Sequence, residues 1–281
     1  MLNVVMLSKP RFIEDLEDII RYYNTVFNAR VIAFCNFENT FKSTDNIIIR
    51  TVAPYNGFHR QALLYEDFMN SNDILNDGDY VLFVDDDEYL YSPSDIKLED
   101  MFKIYNRDMY VFTEVMMSSK ELLDTRDSSQ RLYNILTYKQ TRKDSQLKSA
   151  IRYHKDYIYD FHTKLKEDHL PLHTPLINNE FKASMLYFDV DGRLNCYDGL
   201  TSSYAMIPTD SLSPKIYHYH IKSKEDWEFK IMRGSAASRT PWYDSDITKN
   251  IFYDGYDKED LMFRQFMQER SSSRFQGPQY H

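Results

Sequence analysis

Glycine is scarce in this sequence. Seven occur among 281 residues, and none falls in a Gly-x-Gly-x-x-Gly or Gly-x-x-x-x-Gly-Lys arrangement. Folds that cradle phosphates in a glycine-rich loop need backbone that approaches the ligand closely, so the scarcity argues against them. Cysteine is scarcer still. Cys35 and Cys196 make neither a disulfide framework nor a zinc site, and they fit a reducing compartment. Cys35 lies in an apolar run and reads as a small buried hydrophobe. Positive charge is in deficit, with 34 Lys and Arg against 43 Asp and Glu and a net charge of −9. The basic footprint of a nucleic-acid binder is therefore missing. An anionic substrate would need a metal or focused Lys and Arg. No run approaches the roughly 18 to 20 apolar residues of a membrane span. The start lacks a charged region followed by an apolar one, so no signal peptide is visible and the cytoplasm is the expected compartment. A Gly-x-Ser-x-Gly elbow and a His-Glu-x-x-His helix are absent too.

What is present is ample for a packed core: 42% hydrophobic residues, with 23 Tyr and 18 Phe. Asn3 to Leu7 reads as a first strand, and Ser8-Lys9-Pro10 as a turn. Ile13, Leu16, Ile19, Ile20, Tyr23 and Phe27 recur at helical spacing, which sets Glu14, Asp15, Glu17 and Asp18 mostly outside. Strands are expected at Val31 to Cys35 and Ile47 to Val52, and a helix at His59 to Asn70. Leu98 to Tyr105 reads as a helix and Met109 to Met116 as a strand. Residues 118 to 148 fit a loop or a helix. Ala150 to Tyr153, Phe181 to Phe188 and Ile216 to Ile221 read as strands. Ser223 caps a helix to about Met232 that Gly234 ends, and Asp257 to Arg270 is a last helix. Alternating strands and helices predict βαβ units, and thus an α/β fold with a mixed, mainly parallel sheet flanked by helices.

The chain centres on Tyr80 to Leu90. Val81 to Val84 are apolar without a break, and they run straight into Asp85, Asp86, Asp87 and Glu88. A short apolar run after the Asp77-Gly78-Asp79 turn predicts a buried parallel strand. Strand alternation would send Asp85 and Asp87 to one side and Asp86 to the other. Carboxylates at the carboxyl end of such a strand lie where open α/β sheets bind ligands. Their repulsion calls for a cation, and oxygen donors of this kind suit Mg²⁺ or Mn²⁺ bridging to substrate phosphates. A solvated acidic turn is the alternative.

His218 and His220, two apart on an expected strand, would share a face, and a neutral imidazole can complete a metal shell begun by carboxylates. Lys148, Arg152, Lys222, Lys230 and Arg233 are the cations that could meet a diphosphate. His154, His162, His169 and His173 have no metal-helix spacing and read as structural or surface residues. Trp227 and Trp242 read as core residues.

In order along the chain, these segments resemble GT-A glycosyltransferases, in particular the family 2-like and family 92-like groups. Asp85-Asp86-Asp87-Glu88-Tyr89-Leu90 is similar to their Asp-x-Asp-Glu-Phe segment. Ser8-Lys9-Pro10, the acidic helix and Val31 to Asn36 resemble the opening Lys-Asn-Glu, helix and second strand. Lys148-Ser149-Ala150-Ile151-Arg152 followed by His162 resembles a Lys-Ser-Ile-Val-Arg block followed by a histidine. His218-Tyr219-x-x-Lys222-Ser223 with Lys230, Arg233, Gly234 and Ala236 resembles the closing His-Tyr-x-x-Lys-Ser and Lys-x-x-Arg-Gly-x-Ala. Pro10-Arg11 and Cys35-Asn36 depart from the pattern.

The resemblance implies a single GT-A (Rossmann-like) domain over 1–268, with a nucleotide-binding half to about residue 100, an acceptor half after it and a flexible tail at 269–281. It implies a metal-dependent, inverting transfer of sugar from a nucleotide-diphospho-sugar, with UDP expected, to a hydroxyl of a glycan or glycoconjugate. The metal, Mn²⁺ or Mg²⁺, would be held by Asp85, Asp87 and His218, with His220 in reserve. Lys9, Asn36, Asp85, Asp86, Lys148, Arg152 and Lys222 would contact the donor. Glu114, Glu121 and Asp124 are the carboxylates that could take the acceptor's proton. A sugar- or nucleotide-binding protein of the same fold, and a metal-dependent nucleotidyltransferase or hydrolase, are the alternatives.

Overall fold

The computed structural model describes residues 1–37, 42–52, 60–93, 96–121, 123–140, 147–161, 174–200, 213–233 and 256–274. His162, His169, His173, Gly234, Ala236 and Trp242 lie outside them. The chain runs β1 (Leu2–Ser8), α1 (Ile13–Phe27), β2 (Arg30–Cys35), β3 (Ile47–Thr51), α2 (Arg60–Ser71), β4 (Tyr80–Phe83), β5 (Glu88–Tyr91), α3 (Leu98–Tyr105) and β6 (Met109–Ser118). It continues through α4 (Leu132–Ile135), β7 (Tyr138–Gln140), β8 (Leu147–Arg152), β9 (Tyr159–Asp160), β10 (Leu176–Ile177), β11 (Ala183–Phe188) and β12 (Leu194–Leu200). It ends with β13 (Lys215–His218), α5 (Lys224–Arg233), β14 (Tyr256–Glu259) and α6 (Met262–Arg274).

Apart from β9 and β10, which pair with each other, the strands form a curled mixed sheet flanked by helices, consistent with a Rossmann-like GT-A fold. In the amino-terminal half β3, β2, β1 and β4 lie parallel. Beyond β4 the sheet turns mixed: β8 is antiparallel to β4 and to β6. β13 runs parallel to β6 on one side and antiparallel to β5 on the other. No helix among the described residues is long and apolar enough to cross a membrane.

Period-two alternation builds two cores. Leu2, Val4 and Met6 face α1 with Leu16, Ile19 and Tyr23, while Val5 faces α2 with Ala62, Tyr65 and Phe68. With glycine scarce, asparagine ends the helices: Asn28 (φ 52°) follows α1 and Asn106 (φ 50°) follows α3, both left-handed. Gly78 (φ 87°) makes the turn before β4.

Five expectations change here. β4 stops at Phe83, so Asp85 to Asp87 lie in a turn and not on a strand, and Glu88 opens β5. β13 ends at His218, so His220 lies beyond the strand. Residues 118 to 148 hold α4, β7 and the start of β8. The last helix starts later, at Met262, after β14, and continues through residue 268 to Arg274. Asp15, expected outside, is 4% exposed.

Packing holds the acidic turn from behind. Tyr23 of α1 donates its hydroxyl to the Glu88 carbonyl (2.8 Å) and accepts from the Leu90 amide (3.1 Å). Tyr22 donates to the Leu90 carbonyl. α6 closes this layer: the ring of Phe263 lies 5.7 Å from Tyr22, 5.6 Å from Tyr89 and 5.1 Å from Tyr217. Such buried aromatic clusters contribute area plus about 0.5 to 1.5 kcal/mol per ring pair. Phe263→Ala is expected to cost about 3 to 5 kcal/mol, read as a lower urea midpoint at unchanged slope. A loss below about 1 kcal/mol would show that α6 is not part of the core.

Candidate active site

Lys9 follows β1, Asn36 follows β2 and Asp85 follows β4, so three parallel strands deliver their carboxyl ends to one edge. Open α/β sheets bind ligands at this edge. The Asn36 amide donates to the Ser8 carbonyl at 3.4 Å, and Ser8 Oγ donates to Asp86 Oδ2 at 2.7 Å. Asp86 thus pins the acidic turn to β1. Burial pushes the neighbouring Cys35 thiol up to about 11, with Asp86 adding to the effect.

Because the acids occupy a turn, they part company. Asp85 accepts from Gln61 Nε2 of α2 (2.8 Å) and faces Lys148 Nζ (3.2 Å). The same ammonium lies 2.6 Å from Glu88 Oε1, and Glu88 Oε2 accepts the Asp85 amide at 2.9 Å. Burial, opposed by Lys148 and reinforced by Asp85, pushes the Glu88 carboxyl up to about 8. Asp87 turns the other way. Its Oδ1 lies 3.2 Å from His218 Nε2, and its Oδ2 accepts from Lys230 Nζ at 2.9 Å. Lys222 Nζ stands 4.0 Å from Asp87 Oδ2. Burial disfavours the Asp87 carboxylate, yet Lys230, His218 and Lys222 hold its pKa well below the usual range.

β13 brings His218 to this point by pairing with Glu88 on β5 and Met116 on β6. His218 Nδ1 donates to Glu114 Oε1 and lies 3.4 Å from Glu88 Oε1. Burial opposes its charge, but Glu114, Asp87 and Glu88 raise the imidazole to about 10. His220 Nδ1 lies 3.3 Å from His218 Nε2. Burial, with Lys230 and His218 adding, holds His220 well below its ordinary value and thus neutral. The Trp227 ring is 5.9 Å from His220.

Glu88, Glu114 and His218 are the group among the described residues whose ligand atoms all lie within 4.8 Å of one another. The expected triad of Asp85, Asp87 and His218 is not drawn together to that range, because the turn sends Asp85 to Gln61 and Lys148. Asp87 and His218 Nε2, 3.2 Å apart, nonetheless offer carboxylate and imidazole donors suited to Mn²⁺ or Mg²⁺. Glu114 Oε2 is buried with no hydrogen-bond partner among the described residues. Glu114 on Nδ1 also leaves Nε2 of His218 aimed at Asp87, the carboxylate–histidine arrangement that orients metal-binding imidazoles. The residues present therefore fit such an ion.

Other expected residues lie elsewhere. Arg152 pairs with Tyr80 at the far end of β4 and contacts Asn106, away from the acidic turn. Glu121 is exposed, and the exposed Asp124 carboxylate pairs with Lys224. Glu114, placed mid-strand on β6 and 3% exposed, faces His218 rather than solvent. Two buried residues at this edge were not expected in the site. Arg126 lies between Asp15 and Asp226, and Asp15 accepts from Lys222 at 3.1 Å. Asp15 stands four residues before Ile19, on the apolar stripe of α1, and that was its readable signal.

Fold and site together describe a mixed α/β domain with a buried acid–imidazole–lysine cluster at the carboxyl edge of its parallel strands. No family model and no curated protein matches the chain. Among solved structures, S. aureus TarS 1–349, a glycosyltransferase, is similar at 12% identity and a TM-score of 0.31. The match covers 83% of this chain and 64% of that one, so the chain spans under two thirds of that structure's length. Likeness at that level carries no weight for activity.

Lys148 is 3% exposed on its side chain and serves two acids at once. Lys148→Met is expected to destabilise the fold by about 3 to 5 kcal/mol, since removing one partner strands a buried charge. Adding Glu88→Gln should recover part of that loss in denaturant titrations. Equal stability of wild type and Lys148→Met would show that the ammonium is not the counter-charge of the turn.

Proposed function

We propose that the chain is a metal-dependent glycosyltransferase that moves a sugar from a nucleotide-diphospho-sugar, with UDP as the expected nucleotide, to a hydroxyl of a glycan or glycoconjugate. The observation that carries this reading is Asp87, with His218 on one carboxylate oxygen and Lys230 on the other, at the ligand-binding edge of the sheet.

Asp87 and Nε2 of His218 would hold Mn²⁺ or Mg²⁺, with His220 Nδ1 3.3 Å from that nitrogen, and the ion would supply positive charge to the leaving diphosphate. Glu114 keeps the His218 ring in place through Nδ1. Lys222 and Lys230 add positive charge next to Asp87, where the nucleoside diphosphate departs. Lys9 and Asn36, at the strand ends, are assigned to the nucleotide. In the transfer the acceptor oxygen bonds the anomeric carbon, the bond to the diphosphate oxygen breaks, and a carboxylate takes the acceptor's proton. Inversion at that carbon is the expected course.

The test is a screen of UDP- and GDP-sugars for donor hydrolysis and transfer, with and without Mn²⁺, repeated on Asp87→Ala. Activity that needs Mn²⁺ and falls by about a hundred-fold or more in Asp87→Ala is expected. Activity unchanged by that substitution would refute the assignment of Asp87. Absence of metal-dependent nucleotide binding in calorimetry would refute the transferase reading itself.

A further inference from the structure

Arg126 is buried at the junction of three segments, and the reading above gives it no role. Its side chain is 0% exposed. Nε donates to Asp226 Oδ2 at 2.7 Å, at the start of α5, and Nη2 donates to Asp15 Oδ2 on α1. The guanidinium lies 4.8 Å over the Phe12 ring. Asp226 is fixed in turn, because it accepts from Ser223 Oγ at 2.8 Å, within the cap of α5.

One oxygen, Asp15 Oδ2, is used twice. It accepts from Arg126 and from Lys222 Nζ at 3.1 Å. Lys222 therefore stands between two carboxylates, bonded to Asp15 and 4.0 Å from Asp87 Oδ2. A lysine ammonium is a point charge on a flexible stem, and its position is set by whichever acid holds it. Asp15 alone would pair with Lys222 one to one and take up its charge. Arg126 on the same oxygen offsets much of the Asp15 charge, because Arg11 Nη1, 3.7 Å from Asp226 Oδ1, shares the charge of Asp226, so Asp15 fixes the ammonium's place while leaving part of its charge available to a third group. Arginine suits this task because it stays charged when buried and its fork can address two carboxylates at once.

We propose that Asp15 and Arg126 are positioning residues that hold the Lys222 ammonium ready for the diphosphate of a nucleotide ligand. This rests on the transferase reading. It adds that the 123–131 segment, through Arg126, helps set nucleotide affinity from outside the acidic turn.

The experiment is calorimetric titration of UDP and of GDP, each with Mn²⁺, into the intact chain. The variants are Arg126→Met, Lys222→Met and the double variant, each checked for folding by circular dichroism. Each single substitution is expected to weaken nucleotide binding by about ten-fold, and the double variant should bind no more weakly than Lys222→Met alone. Arg126→Lys should recover part of the loss, and in donor assays Arg126→Met should raise KM more than it lowers kcat. If the two losses add in full, Arg126 supports the fold only; the proposal is overturned while the transferase reading stands. If the wild-type chain binds neither nucleotide, both are overturned. Should Arg126→Met fail to fold, the near-isosteric Asp15→Asn takes its place in the same cycle, and additivity with Lys222→Met overturns the proposal equally.

Discussion

Burial of like charge is the constraint on which this structure depends. Asp15, Asp85, Asp87, Glu114 and Asp226 converge within the fold, four of them largely out of water. Each isolated buried carboxylate would cost several kcal/mol, and only close cations and hydrogen bonds offset that. Lys148, Lys222, Lys230, Arg126 and the charged His218 are those cations. Burial pushes the Glu88 carboxyl up, and Lys148, 2.6 Å away, is the charge that opposes the rise. The backbone serves this balance. The parallel strands bring Ser8, Asn36 and the acidic turn to one edge, while β13 and α5 bring His218, Lys222 and Lys230 across to meet them.

The hydrophobic framework follows from the same economy of space. A run of four acids after an apolar strand can be tolerated only if something rigid stands behind it. The tyrosines of α1 supply that support by bonding the β5 backbone, and α6 seals their rings with Phe263. Tyrosine fits where phenylalanine would not, because its hydroxyl satisfies a buried carbonyl or amide while its ring fills the core. The abundance of tyrosine in the composition thus has a local cause in this layer.

Elements with strong period were legible from the sequence. α1 and α3 begin and end where their apolar spacing places them, and the parallel strands lie within a residue or two of their expected limits. The capping role of Ser223 was likewise readable, and its hydroxyl meets the Asp226 amide at 3.1 Å. The acidic turn was found as a site, but its internal geometry was not, because alternation holds only while the strand continues and β4 ends at Phe83. Short elements such as β5 and β7 carry too few residues for a period and form by pairing with distant strands. The burial of Asp15 was readable from its place on the apolar stripe of α1, but its pairing with Arg126 was not, because the two lie more than 100 positions apart and no local pattern encodes that contact.

The arrangement also argues about what kind of ligand can enter. A neutral molecule would have to displace Lys222 or Lys230 from its carboxylates and offer nothing in return, at the desolvation cost of every group it strands. A polyanion brings its own charge. It can take the ammonium of Lys222, which lies 4.0 Å from Asp87 and is anchored by Asp15, without leaving either acid uncompensated so long as Arg126 and Lys230 keep their places. A cluster so arranged would favour anions although the whole chain carries a net charge of −9. Local placement of a few buried cations outweighs the global field at contact distance, because Coulomb interactions across several ångströms of low-dielectric interior are stronger than those spread over a solvated surface.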